Sequence, residues 1–172
     1  NTEHSAIKLV SGAYISYISG LPLHVYHTNA GVRGDQNIMD MSGATAFANI
    51  HELMPPDASS WKQVNAHWSD APLRVYSGDS NGTLHADTMW VDHGPGASSG
   101  TVRSYGLVRG NNFIVYPMGI RNSTTMEARR GMDLSVIDPI TGVTKACHSL
   151  AKGAQFTLSG AEALLIKGVY WC

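Results

Sequence analysis

Charge is scarce in this chain: 15% of its 172 residues are Asp, Glu, Lys or Arg, and 12 basic against 13 acidic side chains leave a formal net charge of −1. Average proteins carry about 25%. Without a basic excess the chain lacks the electrostatic footprint of a phosphate binder, so nucleic acid is not expected as a partner. No apolar run approaches the ~20 residues a helix needs to cross a bilayer, and no membrane partner is expected. The first residues also lack the basic start, apolar middle and small-residue cleavage site of a signal peptide. Cysteine is nearly absent: Cys147 and Cys172 are the only two, which excludes a disulfide-dense scaffold and every CxxC motif. HExxH, a GxSxG elbow and a Gly-rich phosphate loop are missing as well, so the sequence gives no reason to expect a metal or a cofactor.

What is present is an ordinary apolar fraction of 43% together with 18 glycines. That excludes disorder, and a chain of this length buries close to about 70% of its unfolded surface, enough for a core without metal or dense cross-links. The chain begins with Asn1 rather than Met, which suggests that a segment was removed or that the sequence is part of a longer polypeptide. Two Asn-x-Ser/Thr sequons, at Asn81 and Asn122, lie in turn-like stretches that would tolerate a glycan. Paired, Cys147 and Cys172 would close a loop of about 26 residues and contribute ~3.5 kcal/mol in the loop-entropy picture. Sequons and a cysteine pair together predict a secreted, extracellular glycoprotein.

Ile7, Val10, Tyr14 and Ile18 share one face at helical spacing, before Gly20-Leu21-Pro22 as a stop. A second helix fits residues 44–54, where Ala44, Phe47, Ile50 and Met54 align and Pro55-Pro56 ends the pattern. Between them Leu21–Thr28 reads as a strand running into a loop. Beyond Pro72 the period changes to short β-branched and aromatic runs separated by Gly, Asn, Asp and Pro. Strands are predicted at 73–77, 88–92, 102–108, 112–116, 124–129, 132–137, 155–158 and 163–170. Arg109-Gly110-Asn111-Asn112 suits a tight hairpin, and Asp138-Pro139-Ile140-Thr141-Gly142 a turn. The fold expected is mainly β: an antiparallel β-sandwich over 72–172, preceded by a short mixed α/β segment over 1–71.

Candidate chemistry falls in two places. The stretch Gly31 to Asp40 follows the Leu21–Thr28 strand and sets Asp35 and Asp40 in a loop, with His27 at the strand end. Paired carboxylates at such a place serve glycoside hydrolysis if they face each other across the bond. An Arg33–Asp35 ion pair, with Asp40 offsetting the dipole of the next helix, accounts for the same residues without catalysis and is the favoured reading of them. The second place is Trp61-Lys62-Gln63-Val64-Asn65-Ala66-His67-Trp68, after a Pro- and Ser-rich turn. Trp61 and Trp68 could stack on sugar faces while Asn65 and His67 take hydroxyl hydrogen bonds, or could cover the junction between the two halves. Trp90 and Trp171 read as core. His85, Asp87, Asp92 and His93 offer ligand chemistry at spacings that match no zinc or calcium signature.

The succession Asn111-Asn112-Phe113-Ile114-Val115-Tyr116-Pro117, then Asp138-Pro139-Ile140-Thr141-Gly142, then Phe156-Thr157-Leu158 through Leu164-Leu165-Ile166 resembles the C-terminal β-sandwich of secreted glycoside hydrolases. The resemblance covers about residues 100–170. It implies that residues 4–54 are the end of a catalytic barrel, whose main carboxylates would lie before Asn1. No catalytic residue carries over by motif. The function expected is a carbohydrate-associated protein, an accessory or binding portion with a polysaccharide or glycan as partner. A self-contained hydrolase or lyase using Asp35, Asp40 and His27 is the alternative, as is an extracellular protein whose low charge favours self-association.

Overall fold

The computed structural model describes residues 6–20, 45–65, 71–78, 84–86, 103–118, 123–159 and 164–172. Both expected helices form, α1 as Ala6–Ile18 and α2 as Thr45–Leu53. Val10, Tyr14 and Ile18 make the buried stripe of α1, and the helix stops where Gly20 turns to φ 66°, a conformation in which only glycine avoids a Cβ clash. Ile50 of α2 and Met54 at its end are buried. A 3-10 turn at Ala58–Ser60 then leads into the first strand.

Among the described residues ten strands follow: β1 Lys62–Asn65, β2 Leu73–Gly78, β3 Leu84–Ala86, β4 Arg103–Arg109, β5 Asn112–Met118, β6 Ser123–Ala128, β7 Met132–Ile137, β8 Thr144–Leu150, β9 Gln155–Ser159 and β10 Leu165–Tyr170. They form a six-stranded sheet in the order β1-β4-β5-β10-β7-β8 and a four-stranded sheet in the order β3-β2-β6-β9. Every pairing is antiparallel. The protein is mainly β, as its sequence predicts. Strand β1 lies before residue 72 and still pairs with β4, so the helical segment and the sandwich share the larger sheet.

The six-stranded sheet is buried on both faces at its centre. Phe113 and Val115 of β5, Ile166 of β10 and Met132, Leu134 and Val136 of β7 meet Leu73, Met126, Phe156 and Leu158 of the smaller sheet in one core. Their neighbours Ile114, Tyr116 and Leu165 point the other way, into a second core with Val10, Tyr14, Ile18, Ile50 and Met54 of the helices. Three layers result: helices, large sheet, small sheet. This double burial explains why Phe113-Ile114-Val115-Tyr116 and Leu164-Leu165-Ile166 run apolar without a break, whereas β6 alternates, with Met126 and Ala128 inward and Thr125 and Glu127 bonded to the polar outer row of β9.

The helix-side core holds one uncompensated group. Tyr14 is fully buried and lies flat on Tyr116, ring centroids 5.2 Å apart and planes 1° apart. Its hydroxyl has no hydrogen-bond partner among the described residues. Tyr14→Phe removes that group without touching the stacked rings, and is expected to stabilise the fold by about 1 kcal/mol. The check is a higher urea midpoint at an unchanged slope. Burial first, then the charges of Tyr116 and Asp138, push the Tyr14 hydroxyl well above the ordinary tyrosine value of 10.0. The folded protein therefore keeps this proton at pH values where the unfolded chain has lost it. Its contribution is complete below about pH 10 and fades as pH rises further, so the alkaline loss of stability is expected to be shallower in Tyr14→Phe.

Two expectations are corrected. Cys147 and Cys172 are both free and exposed, and the topology explains why. Cys147 of β8 faces Ser135 of β7, and Ser135 faces Lys167 of β10. Two strand spacings, ~10 Å, therefore separate Cys147 from β10, and Cys172 lies a further ~16 Å along that strand's direction. A disulfide needs Cα atoms within about 7 Å. Trp171, expected in the core, is instead 44% exposed, because β10 ends at Tyr170 and the last inward side chain is that of Tyr170. The predicted strands at 21–28 and 88–92, with Trp90, lie outside the described residues.

Candidate functional site

Helix α1 packs on β4 and β5, and among the described residues no helix covers the same face of the sheet where β10, β7 and β8 carry Val169, Asp133 and Ser149. Strand alternation decides which side chains this open face carries. One cross-strand row runs Ile114, Lys167, Ser135 and Cys147. The next runs Arg109, Asn112, Val169, Asp133 and Ser149, and Trp61, one residue before β1, extends it beyond Arg109. Val169 is 41% exposed, unusual for valine in a central strand and a direct consequence of the missing cover.

Two adjoining hollows make this face a trough. The larger, about 620 Å³, lies over Asp133, Ser135, Cys147 and Ser149. The smaller, about 420 Å³, is bounded by the His51–Pro56 end of α2 and by Trp61. Asn112, Lys167 and Gly168 border both, so the two are neighbours. Volumes of this order match small-ligand sites.

Trp61 is held by its own turn. Its indole N–H donates to Asp57 Oδ1 at 3.2 Å, while Ser60 Oγ donates to Asp57 Oδ2 at 3.1 Å. The Arg109 guanidinium, reaching across from β4, forms an ion pair with the same carboxylate. The hydrogen bond from Trp61, followed by those from Ser60 and Arg109, holds the Asp57 carboxyl below the usual carboxylate range, so the clamp stays charged into mildly acid solution. The indole is thereby fixed at the trough wall, partly buried against the helix-side core.

Lys167 does a comparable job for α2. Its Nζ donates to the carbonyl of Leu53 at 2.7 Å, placing a cation on the negative end of the helix. Desolvation pulls its pKa below the ordinary lysine value. On the floor, Ser149 Oγ donates to Asp133 Oδ1 at 2.6 Å, and Ser135 Oγ lies 3.7 Å from Cys147 Sγ. Amide, carboxylate and hydroxyl groups thus follow one another along the cross-strand row that the fixed indole begins. That arrangement can exchange hydrogen bonds with a polyhydroxylated ligand while the ring covers an apolar patch of it. Among the described residues no cluster of His, Cys, Asp and Glu could hold a metal ion.

Of the residues singled out in the sequence, Trp61 lies at the trough. Asn65 closes β1 opposite Tyr105. His27, Asp35, Asp40, His67, Trp68, Asn81 and Asn122 lie outside the described residues. Sequence reasoning passed over Asp57, Asn112, Asp133, Ser149 and Lys167. The Asp57–Ser60–Trp61 clamp was legible, since spacings of three and four residues after a Pro-Pro turn bring those side chains together. Asp133 and Ser149 meet only through the β7–β8 register. Comparison with protein-family models, curated proteins and solved structures returned no match to the chain.

Proposed function

We propose that the chain binds carbohydrate in the trough, as the accessory or binding portion of a secreted glycoside hydrolase rather than as a complete enzyme. The observation that carries this reading is the clamped Trp61. Asp57 takes up its only polar atom, so what the indole presents to the smaller hollow is apolar ring, with Asn112 on the wall shared by the two hollows and Asp133 and Ser149 farther along the same cross-strand row. The resemblance of residues 100–170 to the C-terminal sandwiches of glycoside hydrolases supports the same class of ligand.

Titration calorimetry against a panel of soluble polysaccharides tests it. One glycan or more is expected to bind, and Trp61→Ala is expected to weaken that binding at least about tenfold, the factor that corresponds to ~1.4 kcal/mol of lost stacking. Trp61→Phe keeps a flat ring and is expected to retain most of the affinity, which separates loss of stacking from loss of fold. A panel with no binding, or full affinity in Trp61→Ala, would overturn the proposal.

A further inference from the structure

The row beyond Val169 and Asp133 carries a second indole. The Trp171 N–H donates to the carbonyl of Gly131 at 2.9 Å, which continues the β10–β7 ladder by one step past the Tyr170–Met132 pair. Alternation then sends the Trp171 side chain to the same face as Lys167 and Val169. Gly131 makes room for it: a Cβ built there would lie 2.4, 3.0 and 3.1 Å from three ring carbons of Trp171. The ring therefore lies over the bare backbone of Gly131, and 44% of the residue is open to solvent.

Resting on the carbohydrate reading above, we infer that Trp171 is a second stacking platform and that the ligand is a linear, neutral oligosaccharide lying across the strands from Trp61 to Trp171. Three strand spacings across and two residues along place the two indoles ~16 Å apart, too far for one sugar ring to touch both. Asn112 of β5 falls between them, and Asp133 of β7 lies one strand beyond β10. The charges at the trough oppose an acidic polymer. Asp133 and Glu52 line it, the Arg109 cation is paired with Asp57, and the Lys167 ammonium is engaged by the Leu53 carbonyl.

The test is calorimetric titration with neutral gluco-, manno- and xylo-oligosaccharides from disaccharide to hexasaccharide, with a uronate series of the same lengths alongside. Affinity for the neutral series that binds is expected to climb about tenfold or more with length. Trp171→Ala is expected to erase that climb and leave disaccharide affinity at the wild-type value, while Trp171→Phe retains the climb. Gly131→Ala, whose new methyl lifts the indole off its seat, should act like Trp171→Ala. A climb that persists in Trp171→Ala, or tighter binding of the uronate series, would overturn the second platform while leaving glycan binding intact. Wild-type protein that binds no oligosaccharide at all would overturn both readings together.

Discussion

Phe113→Ala is expected to remove about 3–5 kcal/mol of stability, the range for deleting a buried aromatic ring from a packed core. Phe113 is 1% exposed on β5 and belongs to the core shared by the two sheets. It also stands 5.1 Å from the Tyr170 ring at 41°, and the Arg130 guanidinium lies over that Tyr170 ring at 4.5 Å. The substitution thus removes ring burial, an aromatic pair and the support of the residue next to Trp171. Domains are stable by only about 5–15 kcal/mol, so a substantial part of the total disappears. Chemical denaturation should show the midpoint falling sharply, and Phe113→Leu, which retains most of the volume, should recover most of the loss.

The sequence pattern marks these central strands so clearly because they are buried on both sides. Runs such as Phe113–Tyr116 and Leu164–Ile166 owe their continuous apolar character to two cores, one against the small sheet and one against α1 and α2. The strands that escaped notice are those without that double burial. Strand β8, Thr-Lys-Ala-Cys-His-Ser-Leu, is a sheet edge with mostly exposed side chains, and edge strands favour such polar composition. Strand β1 is equally polar and is held by the β4 ladder. Three-residue β3 is too short to show a period. Helices α1 and α2 were legible from their spacing, since a packed helix must bury one stripe.

The site divides along the same line. Trp61 and its clamp come from a single turn, so local spacing contains them. Lys167, Asp133 and Ser149 become neighbours only when β10, β7 and β8 pair in their particular register, and no feature of three separate segments announces that pairing. Trp171 misled for a related reason. An indole next to an apolar strand ordinarily continues the core, and only the end of β10 together with the bare backbone of Gly131 leaves it on the surface.

Gly168→Ala tests how tightly the large sheet and the sandwich core are fitted together. Gly168 sits in β10 between Phe113 of β5 and Leu134 of β7. A Cβ there would lie 2.3 and 2.8 Å from two carbons of the Phe113 ring and 2.6 Å from the Asp133 carbonyl oxygen. The ring has little room to yield, because Phe113 is packed in the core, and the carbonyl belongs to the strand that carries the trough floor. The expected loss is about 3 kcal/mol, at the upper end for overpacking by one methyl, measured as a lower denaturation midpoint. Pairing the change with Phe113→Leu removes the ring contact but leaves the carbonyl contact. The double variant is therefore expected to be more stable than the sum of the single losses, yet still below Phe113→Leu alone. Strict additivity would mean that the Phe113 ring does not fill the space over Gly168. Glycan binding gives an independent reading of the same strain. Shifting the Asp133 backbone moves its carboxylate within the trough, so affinity in Gly168→Ala should fall further than in Phe113→Leu at matched stability.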